Sequence, residues 1–107
     1  MKGVHLRLYT YENRKVHGVA VHDWLLGRAQ GLGIAGGSAF KAIAGFGRHG
    51  HLHEQSFFEL AGEVPVLVEF IVSDREADTL LELLAREKLN LFYARIPVEF
   101  GQVGAGT

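Results

Sequence analysis

The chain has 107 residues, of which 48% are hydrophobic and 21% charged, with a net charge of −1 and no cysteine. This composition is typical of one globular domain spanning 1–107, and it excludes disulfides, thiolate catalysis and cysteine-based zinc sites. The small net charge argues against a nucleic-acid partner, and neither a signal peptide nor an apolar run of membrane-spanning length is visible. We therefore expect a cytoplasmic protein that is not membrane-embedded.

The first half of the chain predicts a strand, a helix and a second strand. Apolar and polar residues alternate over 4–11, which is the period of a strand. Apolar residues then recur at helical spacing over about 17–33, where closing glycines can end the helix through a left-handed residue. After a glycine turn at 36–37, a second strand is predicted over 38–46.

The second half predicts a strand, a helix and a final strand. Alternation over 66–72 follows Pro65, which can stand at the start of a strand. Ser73 and Glu76 then have the spacing of a capping box, which predicts a helix that ends near 88–90. Alternation over 92–100 predicts the last strand, and the small residues of 101–107 predict a flexible tail.

The order β-α-β-β-α-β predicts a ferredoxin-like sandwich, in which a four-stranded antiparallel sheet carries two helices on one face. The other face is rich in tyrosine and arginine, which are enriched at interfaces, so we predict that it packs against further copies of the chain. The alternative is an ordinary half-solvated sheet. The residues predicted on this face are His5, Arg7, Tyr9, Tyr11, Lys41, Glu69, Ile71, Tyr93 and Arg95.

The middle of the chain contains a run of glycine, arginine and histidine residues between two predicted strands. Glycines at such a position let a ligand approach the backbone closely, and an arginine beside them is suited to bind an anion. The candidate ligand-binding residues are Gly45, Phe46, Gly47 and Arg48. The candidate metal ligands alternate with other residues directly after Arg48, and they are His49, His51 and His53.

Three stretches of the chain, 32–37, 44–48 and 64–74, resemble the PII (GlnB-like) signal-transduction family. They resemble, in turn, the family's first helix end, its Gly-Phe-Gly-Arg sequence, and its third strand with the start of the second helix. The resemblance covers about 4–100, and the Gly-Phe-Gly-Arg sequence is its most specific part. The chain is most similar to the short, mostly uncharacterised domain-of-unknown-function branch of that family.

The resemblance implies a homotrimer of ferredoxin-like subunits with ligand sites in the clefts between subunits. It implies that Gly45, Gly47 and Arg48 contact a small anionic ligand, which we expect to be an adenine nucleotide. Binding would order the loop 48–63, and a regulated target protein would respond to that change. We expect a PII-like sensor and no enzyme, because the sequence contains no convincing catalytic constellation.

Two further functions stay open from the residues alone. Neighbouring histidines among His49, His51 and His53 would share one strand face and can chelate a divalent metal, so a metal-binding trimer is the runner-up. A polar loop with ordinary hydrogen bonds is the alternative for these histidines, and a structural oligomer without a ligand is the third function. RNA-recognition domains share the element order, but their aromatic motif lies on the third strand, whereas Gly45-Phe46-Gly47 ends the second.

Overall fold

The computed structural model describes residues 1–46 and 64–104, together with the backbone of residues 53 and 54. The helices in this part of the chain are α1 (Val21–Gly31) and α2 (Asp74–Arg86), and neither is long and apolar enough to cross a membrane. The strands are β1 (Lys2–Tyr11), β2 (Lys15–Val16), β3 (Val19–Ala20), β4 (Ser38–Lys41), β5 (Ala44–Gly45), β6 (His53–Glu54), β7 (Pro65–Val72) and β8 (Phe92–Glu99).

The main sheet has the strand order β4-β7-β1-β8, and each neighbouring pair is antiparallel. Both helices pack on the same face of this sheet, where their apolar side chains join those of β1 and β7 in one core. The predicted ferredoxin-like sandwich is therefore confirmed. The buried strand residues follow strict alternation, because every second side chain of a strand points to the same face: Val4, Leu6, Leu8, Val66, Val68, Phe70 and Val72.

The first helix begins later than the sequence pattern predicts, at Val21 instead of near 17. The intervening residues form a small hairpin in which β2 pairs with β3. Its turn residues His17 and Gly18 have left-handed backbones, with φ of 52° and 80°. A left-handed residue is incompatible with an α-helix, so the hairpin delays the start of α1.

Both helices end in the same hydrogen-bonded motif around a left-handed residue. After α1, Gly33 has φ of 83°, its N–H donates to the carbonyl of Gln30 (3.0 Å), and the N–H of Ile34 donates to that of Ala29 (3.1 Å). After α2, Lys88 has the corresponding position with φ of 57°. This motif satisfies carbonyl groups that a helix end leaves without partners, and glycine suits its left-handed position best.

The second helix begins at the predicted capping box. The Ser73 hydroxyl accepts from the Glu76 N–H (3.1 Å), and the Glu76 carboxylate accepts from the Ser73 N–H (2.9 Å). These reciprocal bonds satisfy backbone donors in the first turn and fix where the chain leaves β7 to form α2.

The predicted second strand, 38–46, is divided in the structure. Its first part, β4, pairs with β7, and the N–H of Ala42 extends this pairing by donating to the carbonyl of Pro65 (2.9 Å). Its second part, β5, leaves the main sheet and pairs with β6 in a separate two-stranded ladder. The alanine-rich sequence is a weak strand former, which is consistent with this interruption.

The prediction of which side chains occupy the open face was wrong for Lys41, Tyr93 and Arg95. Directly opposed residues of antiparallel strands point to the same face. Arg95 lies opposite Leu6 of the core, so it and Tyr93 lie on the helix-covered side, and Lys41 lies opposite buried Val66. Alternation alone could not orient these edge strands, because apolar side chains occur on both faces of the sheet.

The face without helices, which we call the open face, keeps several large apolar side chains in contact with solvent. They include Phe92 at 60%, Phe40 at 52% and Ile71 at 43% exposure. By pairing register the open face comprises Gly3, His5, Arg7, Tyr9, Tyr11, Ser38, Phe40, Pro65, Leu67, Glu69, Ile71, Phe92, Ala94, Ile96 and Val98.

Candidate functional site

The ligand segment predicted from the sequence lies only partly within the described residues. Gly45 is the last residue of β5, and a Cβ atom placed on it would meet no heavy atom of the described residues within 4 Å. Phe46 follows with 75% of its surface exposed. Gly47 and Arg48 lie outside the described residues, so their contact with a ligand stays a prediction.

The predicted metal ligands are described only at one position. The backbone of His53 lies opposite Gly45 in the β5–β6 ladder, whereas His49 and His51 lie outside the described residues. Among the residues whose side chains the structure describes, no group of three histidine, aspartate or glutamate side chains is arranged to hold a metal ion. The histidine metal site stays a prediction.

A cavity of about 450 Å³ opens on the open face, where β1 and β7 lie beside the segment that leads into β4. We call it the front cavity. It combines an apolar floor with a few polar groups, which is the usual composition of a small-molecule site. Its lining residues are His5, Ala35, Gly36, Gly37, Ser38, Glu69, Phe70, Ile71 and Phe100.

The polar centre of the front cavity is a pair of side chains from adjacent strands. The Nε2 atom of His5 lies 2.8 Å from Oε2 of Glu69, and the two side chains are 25% and 30% exposed. One carboxylate oxygen of Glu69 is thus engaged by the imidazole. The other oxygen has no hydrogen bond among the described residues and can accept from a ligand N–H or O–H group.

Arg7 lies next to this pair, and no carboxylate of the described residues is paired with it. It is directly opposite Glu69 in the β1–β7 register, yet Glu69 pairs with His5. The buried Nε of Arg7 has no hydrogen-bond partner among the described residues, and the guanidinium carbon lies 5.7 Å from the centroid of the Tyr9 ring. A buried donor without a partner is unfavourable by about 1–3 kcal/mol, so Arg7 makes this part of the open face suited to an added anion or carboxylate.

Side-chain contacts away from the cavity hold the surrounding elements together. Nε2 of His17 contacts the Glu87 carboxylate at 2.7 Å, and Nη1 of Arg14 donates to the Asn90 carbonyl at 2.8 Å. These two contacts attach the β2–β3 hairpin to the segment after α2.

Arg95 links β8 to α2. It donates to the carboxylates of Asp74 (2.9 Å) and Asp78 (2.7 Å), and these hydrogen bonds raise the pKa of the Arg95 guanidinium above its ordinary value. Because the pKa of the folded state is raised, the contribution of this group to stability is fully present below the ordinary arginine pKa. It is lost only as the pH rises through the raised value, so Arg95 stays charged at neutral pH.

The sequence reasoning did not identify the front cavity as a site. Its residues come from positions 5, 35–38, 69–71 and 100, which the strand order β4-β7-β1-β8 brings together. His5 and Glu69 were correctly predicted on the open face, and 36–37 was predicted as a turn. The missing information was the register, which places His5 and Glu69 within hydrogen-bond distance of each other.

Comparisons with known proteins identify relatives of this chain. The family described as DUF190, uncharacterized ACR, matches residues 3–91. The UPF0166 protein of Aquifex aeolicus (strain VF5) is 34% identical over 77 residues, which are 72% of this chain and 73% of that protein.

Solved structures of similar fold include CPII, a nitrogen regulatory PII-like protein from Thiomonas intermedia K12. Its complex with ADP, AMP and bicarbonate matches with a TM-score of 0.68 and 14% identity, covering 95% of this chain and 91% of CPII. A structure of CPII with ADP and bicarbonate matches with a TM-score of 0.58 and 20% identity, covering 92% of this chain and 89% of that one. At these identities the likeness establishes a PII-like fold.

Proposed function

The chain belongs to the DUF190 family and has a PII-like fold, and on that basis we propose that it is a regulatory sensor that binds a small anionic ligand, an adenine nucleotide. The observation that carries the proposal is the front cavity, which gives this chain a concave site with a polar centre on the open face. The ADP and AMP bound to the fold neighbour CPII support the class of ligand.

In this proposal, the front cavity receives the base of the nucleotide. The unengaged oxygen of Glu69 accepts from an exocyclic amino group, and the apolar side chains of Ile71 and Phe100 contact the ring. Adenine presents an amino donor at the position where guanine presents a carbonyl oxygen. A carboxylate that faces the 6-position of the base therefore favours adenine, whereas guanine would have to turn to donate through its N1–H and 2-amino groups.

The phosphates require a different part of the chain, and Gly45, Gly47 and Arg48 are our proposed contacts. Pairing with β7 runs from Ser38, opposite Glu69, to Ala42, beside Pro65. These four steps correspond to about 13 Å of strand, and Gly45 lies further along the chain. The front cavity and Gly45 of one subunit thus lie beyond opposite ends of β4. We therefore propose that one nucleotide is held by the front cavity of one subunit and the 45–48 segment of its neighbour.

This arrangement requires an oligomer, and we propose a homotrimer in which the open faces contribute to subunit contacts. The exposed aromatic and aliphatic side chains of the open face, such as Phe92 at 60% exposure, provide apolar area for such contacts. Binding would then order the loop 48–63, and a target protein would recognise the ordered loop.

The proposal is tested by calorimetry with AMP, ADP and ATP on protein purified without a histidine tag, with GMP and GDP as base controls. We expect saturable binding of adenine nucleotides, and an Arg48→Ala variant should bind them about 10- to 150-fold more weakly, as for a lost hydrogen bond to a charged group of about 1.5–3 kcal/mol. Arg75→Ala is the matched control, because Arg75 is exposed at the start of α2. A well-folded oligomer that binds none of these nucleotides would contradict the proposal.

A Glu69→Gln variant tests the role of the front cavity separately. The amide keeps the shape of the side chain but can present an N–H donor in place of the acceptor, so discrimination of ADP against GDP should fall. Unchanged discrimination would show that Glu69 does not contact the base.

Elemental analysis of the same tag-free protein tests the metal prediction. Stoichiometric metal that is lost in a His51→Ala, His53→Ala variant would support it.

A further inference from the structure

A second cavity lies behind the segment that borders the front cavity. This rear cavity has a volume of about 310 Å³ and is bounded on its far side by Leu26, Ala29 and Gln30 of α1. Residues 35–37 and Phe70 line both cavities. The segment 35–37, which we call the wall, therefore separates a space on the helix side of the molecule from the front cavity on the open face.

The wall rests directly on the side chain of Phe70. A Cβ atom placed on Gly37 would lie 2.4 Å from Cε1 and 2.6 Å from Cδ1 of the Phe70 ring, and 3.2 Å from Cδ2 of Leu26. Phe70 is only 2% exposed and belongs to the core, so its ring cannot move aside without disturbing the packing around it. The close approach of the backbone to this ring requires glycine at position 37.

The neighbouring glycine has no such constraint. A Cβ atom placed on Gly36 would meet no heavy atom within 4 Å in the part of the chain that the structure describes. Neither Gly36 nor Gly37 is among the glycines with positive φ, so alanine fits the backbone conformation at both positions. The two residues therefore form a matched pair, in which the same added methyl group collides with the core at one position and enters open space at the other.

We propose that the contact between Gly37 and Phe70 positions the wall, and that the position of the wall sets the affinity of the front cavity for its ligand. The rear cavity is the space into which the wall can shift. Gly37 and Phe70 are positioning residues in this proposal. The identity of the ligand rests on the function proposed above, whereas the position of the wall does not depend on it.

The expected size of the effect follows from the geometry. Bringing a methyl group at position 37 from 2.4 Å to an ordinary carbon–carbon separation requires the wall to move by about 1 Å. Binding groups need to be held within about 0.5 Å of their productive positions. A displacement of Ser38 and of the wall backbone relative to Glu69 should therefore weaken binding appreciably.

The test compares Gly37→Ala with Gly27→Ala by calorimetry with ADP, and confirms folding of each variant by its unfolding midpoint. We expect ADP to bind Gly37→Ala at least about tenfold more weakly. Gly27→Ala should bind ADP within about twofold of the unaltered protein, because Gly27 is exposed on α1, lines neither cavity, and leaves room among the described residues for the added methyl group. Phe70→Val in the Gly37→Ala background removes both ring atoms that the added methyl group would meet, Cε1 and Cδ1, and should recover most of the lost affinity. Equal affinities for the two alanine variants, or no recovery in the double variant, would overturn the inference.

Hydrogen exchange provides a second readout that does not depend on a ligand. Phe70→Leu alone removes support from the wall, so the amides of β4, which follows the wall and pairs with β7, should exchange faster than in the unaltered protein, even if Gly37→Ala does not fold. Gly37→Ala should also accelerate this exchange, and Gly36→Ala should not. If the unaltered protein binds no nucleotide, the proposed function fails but these rates still test the wall. Unchanged exchange in Phe70→Leu would contradict its role.

Discussion

The two faces of the sheet use alternate residues of the same strands, yet they have opposite surroundings. On β1, Leu6 and Leu8 are 0% and 1% exposed beneath the helices, whereas Tyr9 on the other face is 37% exposed. The helix-covered face is completed by the side chains of α1 and α2 from the same subunit. The open face retains apolar area, the buried Nε of Arg7 without a partner among the described residues, and the front cavity.

This difference separates stability from recognition within one sheet. The covered face excludes water by itself and provides the hydrophobic contribution to folding. The open face carries polar groups and exposed rings that a monomer does not need for its core. We therefore expect substitutions on the covered face to change the free energy of unfolding, and substitutions on the open face to change ligand binding and assembly.

The largest expected effect is on the covered face. Leu6→Ala removes a fully buried side chain from the central strand β1 and should lower the free energy of unfolding by about 2–5 kcal/mol, because it leaves a cavity in the core. Urea denaturation measures the loss. Ile96→Ala, on the open face at 40% exposure, is the control and should lose much less. Equal losses would show that the two faces contribute equally to the stability of the fold.

The ends of the two covering helices should give opposite changes. Gly33→Ala introduces a Cβ at a left-handed residue and should destabilise the protein by about 1–2 kcal/mol. Lys88→Gly relieves the same strain after α2 and should increase the free energy of unfolding by about 1 kcal/mol or less, because glycine is also more flexible in the unfolded chain. Thermal unfolding measures both, and effects of the same sign would contradict the shared helix-end motif.

The start of α2 should have a smaller effect. Ser73→Ala removes the acceptor for the Glu76 N–H and should destabilise the protein by about 1 kcal/mol. Glu76→Gln preserves a capping box and serves as the matched variant, with little expected change. A loss on Glu76→Gln as large as that on Ser73→Ala would indicate that charge, and not the reciprocal hydrogen bonds, stabilises this helix start.

The smallest expected effect on stability is on the open face. Phe92→Ser should lower the free energy of unfolding of the dissociated subunit by about 0.2–1 kcal/mol, because Phe92 is 60% exposed and loses mainly its cross-strand ring contact with Tyr9. The same substitution should weaken assembly, which analytical ultracentrifugation measures. Val103→Ser, fully exposed outside the sheet, is the control. Unchanged assembly of the Phe92→Ser variant would show that this part of the open face does not contribute to the proposed interface.

Most of the fold was predictable because the governing interactions are local in sequence. Alternation identified β1, β7 and β8, and the spacing of Ser73 and Glu76 located the start of α2. The left-handed end of α1 at Gly33 was also predictable, because a glycine following an apolar helical pattern has few other roles. The start of α1 was not, because it depends on a left-handed histidine, His17, which few sequence rules anticipate.

The sequence by itself determined the order of the two helices and the four strands of the main sheet, the core residues of β1 and β7, and the family resemblance of the Gly-Phe-Gly-Arg segment. Only the tertiary structure decided which face of β8 joins the core, because apolar residues on both faces of a sheet give the same alternation. It also decided where the front cavity lies, because His5, Gly37 and Glu69 are distant in the chain and meet only through the strand register. Local pattern specifies which elements form, whereas pairing across the sheet specifies which side chains share a site.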